Sequence, residues 1–309
     1  MTRLWLKIPW RRPAHSAFGA LLVALALFWS SGVAAEAVQT DYLGKTLNAQ
    51  LKWAPDSNSR AVVMLVHDTA DYLGSPLIRS LQDALAEAGI NSLAITLSRG
   101  MDNRQGPLRC SNLTESSHEQ GIEEVGAWFD WLQRRDIGPV SFFGHGRGGN
   151  QVAWFLAESE HPHFDRQVLL APMTWDRDRI ADEYARRHGT SLHDVYREAQ
   201  EIVQSQGGSA RLRGVGFLHC DEASVAAADF LEYYYDERRF HTPELLGESR
   251  VPTLVLLGEG DDGAPGLATA MSALDNPRVE YRTLPDADYR RGAVEGLVEA
   301  LASFLTPME

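Results

Sequence analysis

The chain has 309 residues, 44% of them apolar, and a formal net charge of −13. That length suits one large domain or two small ones, with a core big enough to need no disulfide to hold it. The acidic balance, with no basic patch of useful size, excludes nucleic acid and anionic membrane surfaces as expected partners.

The first residues differ from the rest. Residues 1–12 contain Arg3, Lys7, Arg11 and Arg12 and no acid, and residues 17–29 form an apolar stretch. Val33 and Ala35 are small residues at the −3 and −1 positions of a cut before Glu36. A basic start, a short apolar run and a small-residue site predict a secretory signal over residues 1–35. The run is shorter than the roughly 20 residues of a membrane span. The expected location is therefore periplasmic or extracellular, without membrane attachment after cleavage. Losing those four basic residues takes the net charge from −13 for the full chain to −17 for residues 36–309.

From residue 40 the pattern predicts an N-terminal strand or hairpin over 40–53. Residues 61–67 (AVVMLVH) form a short β-branched apolar run, expected as a buried strand. Residues 76–88 place Leu77, Ile78, Leu81 and Leu85 on one helical face, with Gly89 ending the helix. A second strand is expected at 91–97, and a helix at 119–135 on the spacing of Ile122, Val125, Trp128, Phe129 and Leu132. A third strand at 140–143 runs into a glycine-rich turn and another helix at 151–158. Further strands are expected at 167–170, 253–257 and 279–284, and a last helix at about 292–305. Strands alternating with helices imply an α/β architecture with a mostly parallel sheet covered on both faces. The polar stretch at about 173–250 breaks this rhythm. Its helical segments at 177–188, 191–204 and 222–235 read as an inserted helical cap over the edge of the sheet where ligands bind.

The turn after the third strand carries the chemistry. It reads Gly144-His145-Gly146-Arg147-Gly148-Gly149, between a strand and a helix, which is the context of a nucleophile elbow. GHGRGG resembles the GHSxGG elbow of the α/β-hydrolase superfamily of esterases, lipases and related serine hydrolases, and the resemblance extends from about residue 61 to 305. His67 ends the first central strand where that superfamily has a His-Gly oxyanion loop. Residues 251–263 (VPTLVLLGEGDDG) resemble the strand and loop that deliver the catalytic acid, and residues 284–289 (LPDADY) the loop that delivers the histidine. The resemblance implies the α/β-hydrolase fold and sets out the departures from it. Gly146 stands in the nucleophile position, Tyr289 in the histidine position and Asp68 in place of the loop glycine. Only the acid survives, as Asp261 or Asp262, and the sequence leaves open which.

A serine hydrolase needs an oxygen nucleophile, a base for its proton and donors for the oxyanion. Glycine offers no nucleophile, and a phenol with a pKa of about 10 is a poor base near neutrality. A carboxylate at position 68 opposes the charge that develops on an oxyanion. By the resemblance, the oxyanion amides are those of Thr69 and Arg147. His67, Asp68, Thr69, His145 and Arg147 are the expected ligand contacts, with His145 also expected to pack beside the apex. The leading expectation is a catalytically inactive pseudo-hydrolase that binds a small molecule or an exported protein partner. The alternative is an active esterase-like hydrolase with relocated residues, such as an aspartate-activated water or a Cys220 nucleophile beside His219.

Other features have simpler readings. Cys110 and Cys220 are the two cysteines, and a disulfide between them and a pair of buried thiols both stay open. His118 is expected as a solvated residue at a helix start. His161, His163 and Asp165 are ligand types in a surface loop, but no convergent metal site is expected from them, and no cofactor is expected. Phe230, Tyr233, Tyr234 and Tyr235 either line a ligand site or pack the cap on the sheet.

Overall fold

The computed structural model describes residues 35–55, 57–113, 117–259, 264–285 and 294–305. The expected signal at 1–35 lies almost wholly outside the described residues. Among the described residues, no helix is long and apolar enough to cross a membrane.

The N-terminal hairpin pairs β1 (Glu36–Tyr42) with β2 (Lys45–Lys52), and β2 runs antiparallel to β4 (Ser92–Thr96) as well. The other strands are β3 (Val62–Val66), β5 (Val140–His145), β6 (Phe164–Leu170), β9 (Thr253–Gly258) and β10 (Val279–Leu284). They complete an eight-stranded sheet in the order β1-β2-β4-β3-β5-β6-β9-β10, parallel from β4 to β10. Every residue of β3, β4, β5 and β9 is buried. A parallel strand covered on both faces favours apolar residues throughout, which is why these segments read as predominantly apolar runs.

Successive side chains of a strand point to opposite faces. Val63 and Leu65 pack with Leu254 and Leu256 under α1 (Pro76–Glu87) and α9 (Glu295–Leu305), through Leu77, Leu81, Leu297 and Leu301. Met64, Val66 and Phe142 face the other way, under α2 (His118–Gln133) and α3 (Arg147–Glu158), through Trp128, Leu132 and Val152. α1 carries Pro76 in its first turn, where the missing N–H costs no helical bond. α3 starts directly at the elbow, earlier than the periodicity from residue 151 suggests, because Gly148 and Gly149 belong to its first turn.

The insertion departs from the sequence expectation. α4 (Arg177–His188) and α5 (Leu192–Gln206) form as predicted. They are followed by an antiparallel pair, β7 (Arg211–Phe217) and β8 (Cys220–Ala226), and only then by the short α6 (Ala227–Tyr233). The cap is therefore mixed α and β, and the helix expected from residue 222 starts five residues later. Strand pairing overrides the helical propensity of the alanines at 223 and 226. The cap has its own core of Tyr184, Val195, Ala199, Leu212, Phe217, Val225 and Phe230. α7 (Thr242–Gly247) leads back to the sheet, and α8 (Ala264–Ser272) follows β9.

The two cysteines are joined. Cys110, in a single helical turn after β4, bonds Cys220 at the start of β8, with Cα atoms 5.5 Å apart and a separation of 110 positions in sequence. The bridge ties the cap hairpin to the loop beneath it and rules out Cys220 as a thiol nucleophile in this form. Closing so long a loop removes much of the unfolded chain's freedom, by about 4–5 kcal/mol in the entropic account. Changing both cysteines to serine should lower the unfolding free energy by about 2–5 kcal/mol. Urea titrations of the oxidised, reduced and doubly substituted protein measure this, and equal midpoints would mean the bridge contributes nothing.

Candidate active site

The elbow sits where β5 passes into α3. Gly146 has φ +55° and ψ −120°, a backbone conformation that side chains other than glycine's adopt only under strain. Its N–H donates to the carbonyl of Leu170 at 3.0 Å, and its carbonyl accepts from Met173 at 2.8 Å. The turn is thus tied to β6 and to the segment entering the cap. The elbow geometry is present although the serine is not.

Asp68 occupies the space the serine would need. A Cβ added to Gly146 would lie 2.5 Å from both Cγ and Oδ1 of Asp68, closer than van der Waals contact allows. Oδ1 accepts a hydrogen bond from the backbone N–H of Arg147 at 2.8 Å. The carboxylate also accepts from the backbone N–H of Thr69. These are the two amides expected to form an oxyanion hole, and both are bonded to an internal anion at the N-terminus of a 12-residue helix. Burial alone would raise the Asp68 pKa. His145, the two amide bonds and the charge of Arg147 outweigh it and hold the carboxyl below its ordinary value.

Arg147 sends its side chain inward. It is 2% exposed, its guanidinium carbon lies 4.3 Å above the ring centre of Tyr233, and Phe240 stands 5.7 Å away. Nη1 lies 2.8 Å from Nε2 of His118, while Nε and Nη2 are buried without a hydrogen-bond partner among the described residues. His118 is buried, not solvated as its helix-start position suggested. Burial, then the charges of Arg147 and Arg99, push its imidazole well below the ordinary histidine value, so it is neutral and can accept from Arg147. The backbone N–H of His118 donates to Oε1 of Glu232 on α6 at 2.7 Å. Burial raises the Glu232 carboxyl, and this hydrogen bond opposes the rise. Sequence reading missed the His118–Arg147–Tyr233 group. Its one local signal was Ser117, whose side chain caps α2, and that says nothing about where the imidazole goes.

His67 also takes a structural place. It is 1% exposed. Its Nε2 accepts from the backbone N–H of Leu97 at 3.1 Å, so Nδ1 carries the proton that bonds the carbonyl of Asp68 at 2.7 Å. Burial and the charge of Arg104 push its pKa down to about 3. His67 does not line the cavity, so the expectation of a ligand contact gives way to that of a strut fixing the loop that carries Asp68.

Above the elbow, between sheet and cap, lies a cavity of about 760 Å³. Asp68, Thr69, His145, Gly146 and Arg147 line its floor, with Tyr233 and Tyr234 from the cap on its wall. Tyr233 bonds Thr69 side chain to side chain at 3.3 Å. Of the aromatic cluster, Phe230 is buried within the cap and Tyr235 is exposed. Asp71 faces the same cavity, its carboxyl raised by burial and by the charge of Asp68. Asp261, Asp262 and Tyr289 lie outside the described residues. Among the described residues, three metal-ligand atoms of the His, Cys, Asp and Glu types come within reach of one ion only at Cys110, His219 and Cys220, and both sulfurs there are spent on the disulfide.

No protein-family model matches the sequence, and no curated protein does. Solved structures do match. Est1E from Butyrivibrio proteoclasticus is 16% identical over 87% of this chain and 97% of its own, with a TM-score of 0.61. A soluble variant of monoglyceride lipase from Saccharomyces cerevisiae, in complex with a substrate analogue, is 12% identical over 88% and 96%, with a TM-score of 0.61. Dienelactone hydrolase from Anabaena variabilis is 15% identical over 88% and 96%, with a TM-score of 0.54. The likeness covers nearly the whole of each fold, and it is a likeness of fold.

Two predictions test this site. Gly146→Ser should destabilise through backbone strain of about 1–3 kcal/mol plus overlap with Asp68, and Asp68→Gly through two unpaired amides at about 1–3 kcal/mol each. If the two side chains share one volume, the double variant is less destabilised than the sum of the single ones by about 1–3 kcal/mol; additive losses in urea titration would separate the positions. The second concerns acid. His67 and His118 stay neutral in the fold, whereas in the unfolded chain they take up protons near pH 6.5. Their stability contribution is therefore present above about pH 6.5 and lost as pH falls, for His67 until about 3. Unfolding free energy should drop between pH 6 and 4, by roughly 1.4 kcal/mol per pH unit for His67 and by a further amount for His118. A His118→Gln variant showing the same slope as the parent would contradict this.

Proposed function

We propose that this chain, whose fold is that of the α/β-hydrolases, is a pseudo-hydrolase that binds a small molecule in the cavity between sheet and cap. One observation carries the reading: the Asp68 carboxylate accepts from the Arg147 amide and stands where a side chain at 146 would go. An ester carbonyl entering this elbow finds no nucleophile. It finds the oxyanion amides already bonded, and a negative charge where its own would develop. Loss of the nucleophile from a working triad costs on the order of 10⁶ in turnover, and here the donors that would supply the residual rate are occupied too. The site favours holding a ligand over acylating on it. Its fixed parts are the floor at Asp68, the Tyr233–Thr69 bond and the tyrosine wall. The basic start, apolar run and small-residue site of residues 1–35 support export of the domain. The net charge of −17 after cleavage disfavours nucleic acid and anionic membranes as partners.

The test is turnover by residues 36–309 of short- and medium-chain aryl esters, alongside Asp261→Asn and Asp262→Asn. Background rates for all three are expected, from protein that begins at Glu36 when recovered from the exported fraction. Turnover by the parent that either asparagine variant abolishes would overturn the reading and place the chemistry at that aspartate.

A further inference from the structure

The cap brings a second polar pair to the cavity, away from the elbow. His188, the last residue of α4, has a side chain only 2% exposed, and it lines the cavity. Its Nδ1 lies 3.0 Å from Oδ1 of Asp221 on β8. A carboxylate only accepts, so Nδ1 carries the proton, and in the neutral ring Nε2 is left as an acceptor. Among the described residues, none hydrogen-bonds Nε2. The ring is held from two other sides. The Tyr184 ring stands 4.7 Å away, tilted by 60°. Gly216 of β7 makes the room, because a Cβ there would overlap the imidazole. Tyr184 spends its own hydroxyl on the carbonyl of Gly216 at 2.8 Å, so it does not supply the missing donor.

The surroundings narrow what does. Ile180, Tyr184, Leu218 and Tyr234 line the same cavity. The Tyr184 and Tyr234 rings stand edge to face with centres 5.4 Å apart, and the Tyr234 hydroxyl accepts from the backbone N–H of Leu218 at 3.3 Å. Of the charged α4 residues that line the cavity, Glu183 and Arg187 are paired with each other at 3.3 Å, and Arg179 donates to the carbonyl of Thr174 at 3.2 Å. At the elbow, the amides that would hold an anionic group already hold Asp68. With Nδ1 turned to Asp221, Nε2 is an oriented acceptor beside apolar and aromatic side chains, which selects an uncharged hydrogen-bond donor on an aromatic body.

We propose that the cavity takes a phenol-bearing small molecule whose O–H donates to Nε2 of His188, with Asp221 fixing the tautomer. This rests on reading the cavity as a binding site, and it adds the class of ligand. Asp221 is a positioning residue: its side chain is 76% exposed, so the ion pair itself adds little stability. What it does is keep the proton on Nδ1. Without it the ring is free to place its proton on Nε2, which then repels a donor.

Two probes isolate that hydrogen bond. 4-Nitrophenol and 4-nitroanisole share a nitroaryl body, and only the first has an O–H. Calorimetry on residues 36–309 should show the phenol binding roughly five- to tenfold tighter than the ether, the worth of one net hydrogen bond. His188→Phe, which keeps a ring but no acceptor, should bring the ratio to about one. Asp221→Ala should lower the ratio and Asp221→Glu restore it. Because Asp221 is on the surface, that pair decides the matter even if His188→Phe does not fold. Equal affinities in the parent, or a ratio that survives both substitutions, would overturn the assignment. Nile red separates this from the broader reading. Bound dye without phenol preference defeats the phenol assignment alone, and no binding of dye or phenol defeats both.

Discussion

One volume at the end of β5 has room for either a side chain at residue 146 or the carboxylate of Asp68, and the chain gives it to Asp68. The elbow keeps the backbone path that would present a nucleophile, at φ +55° and ψ −120°. Glycine relieves the strain of that path and empties the space beside it. The carboxylate then fills the space and satisfies the amides of Arg147 and Thr69. Without an anion there, the Arg147 N–H at the N-terminus of α3 and the Thr69 N–H of the loop after β3 would be left looking for an acceptor. The departures from the serine-hydrolase pattern at 68 and 146 are therefore two halves of one packing solution.

That solution propagates into the cap. Asp68 is placed by His67, whose two ring nitrogens bridge its carbonyl to the end of β4. Arg147, whose amide meets Asp68, points its guanidinium at His118 and under Tyr233. Tyr233 and Glu232 belong to α6, so the same residues that close the elbow also seat the cap, through Thr69 and the start of α2. The disulfide pins the other side of the cap, at β8. The cavity is thus bounded by groups already committed to one another, which suits a preformed binding site. His188 differs in being oriented by Asp221 while, among the described residues, none hydrogen-bonds its Nε2.

Much of the fold was legible because burial writes itself into local patterns. The runs at 62–66 and 254–257 are apolar throughout because parallel strands are covered on both faces. The spacing of Leu77, Ile78, Leu81 and Leu85 identified α1 because one helical stripe faces the sheet. β7 and β8 escaped notice because charged residues are scattered among their apolar ones and β7 carries Gly214 and Gly216, so neither alternation nor propensity marked them. Their identity as strands comes from pairing with each other.

By itself the sequence determined that residue 146 has no side chain, that the elbow lies between a strand and a helix, and that a carboxylate follows His67. Each of these is a property of residues adjacent in the chain. Tertiary structure alone decided that Asp68 bonds the Arg147 amide across 79 positions, that His118 is buried against Arg147, that Cys110 meets Cys220, and that His188 and Asp221 share a proton on the cavity wall. Periodicity reports which side of an element is buried. It carries no information about which distant group is buried against it, because that depends on how the elements pack once the sheet has formed.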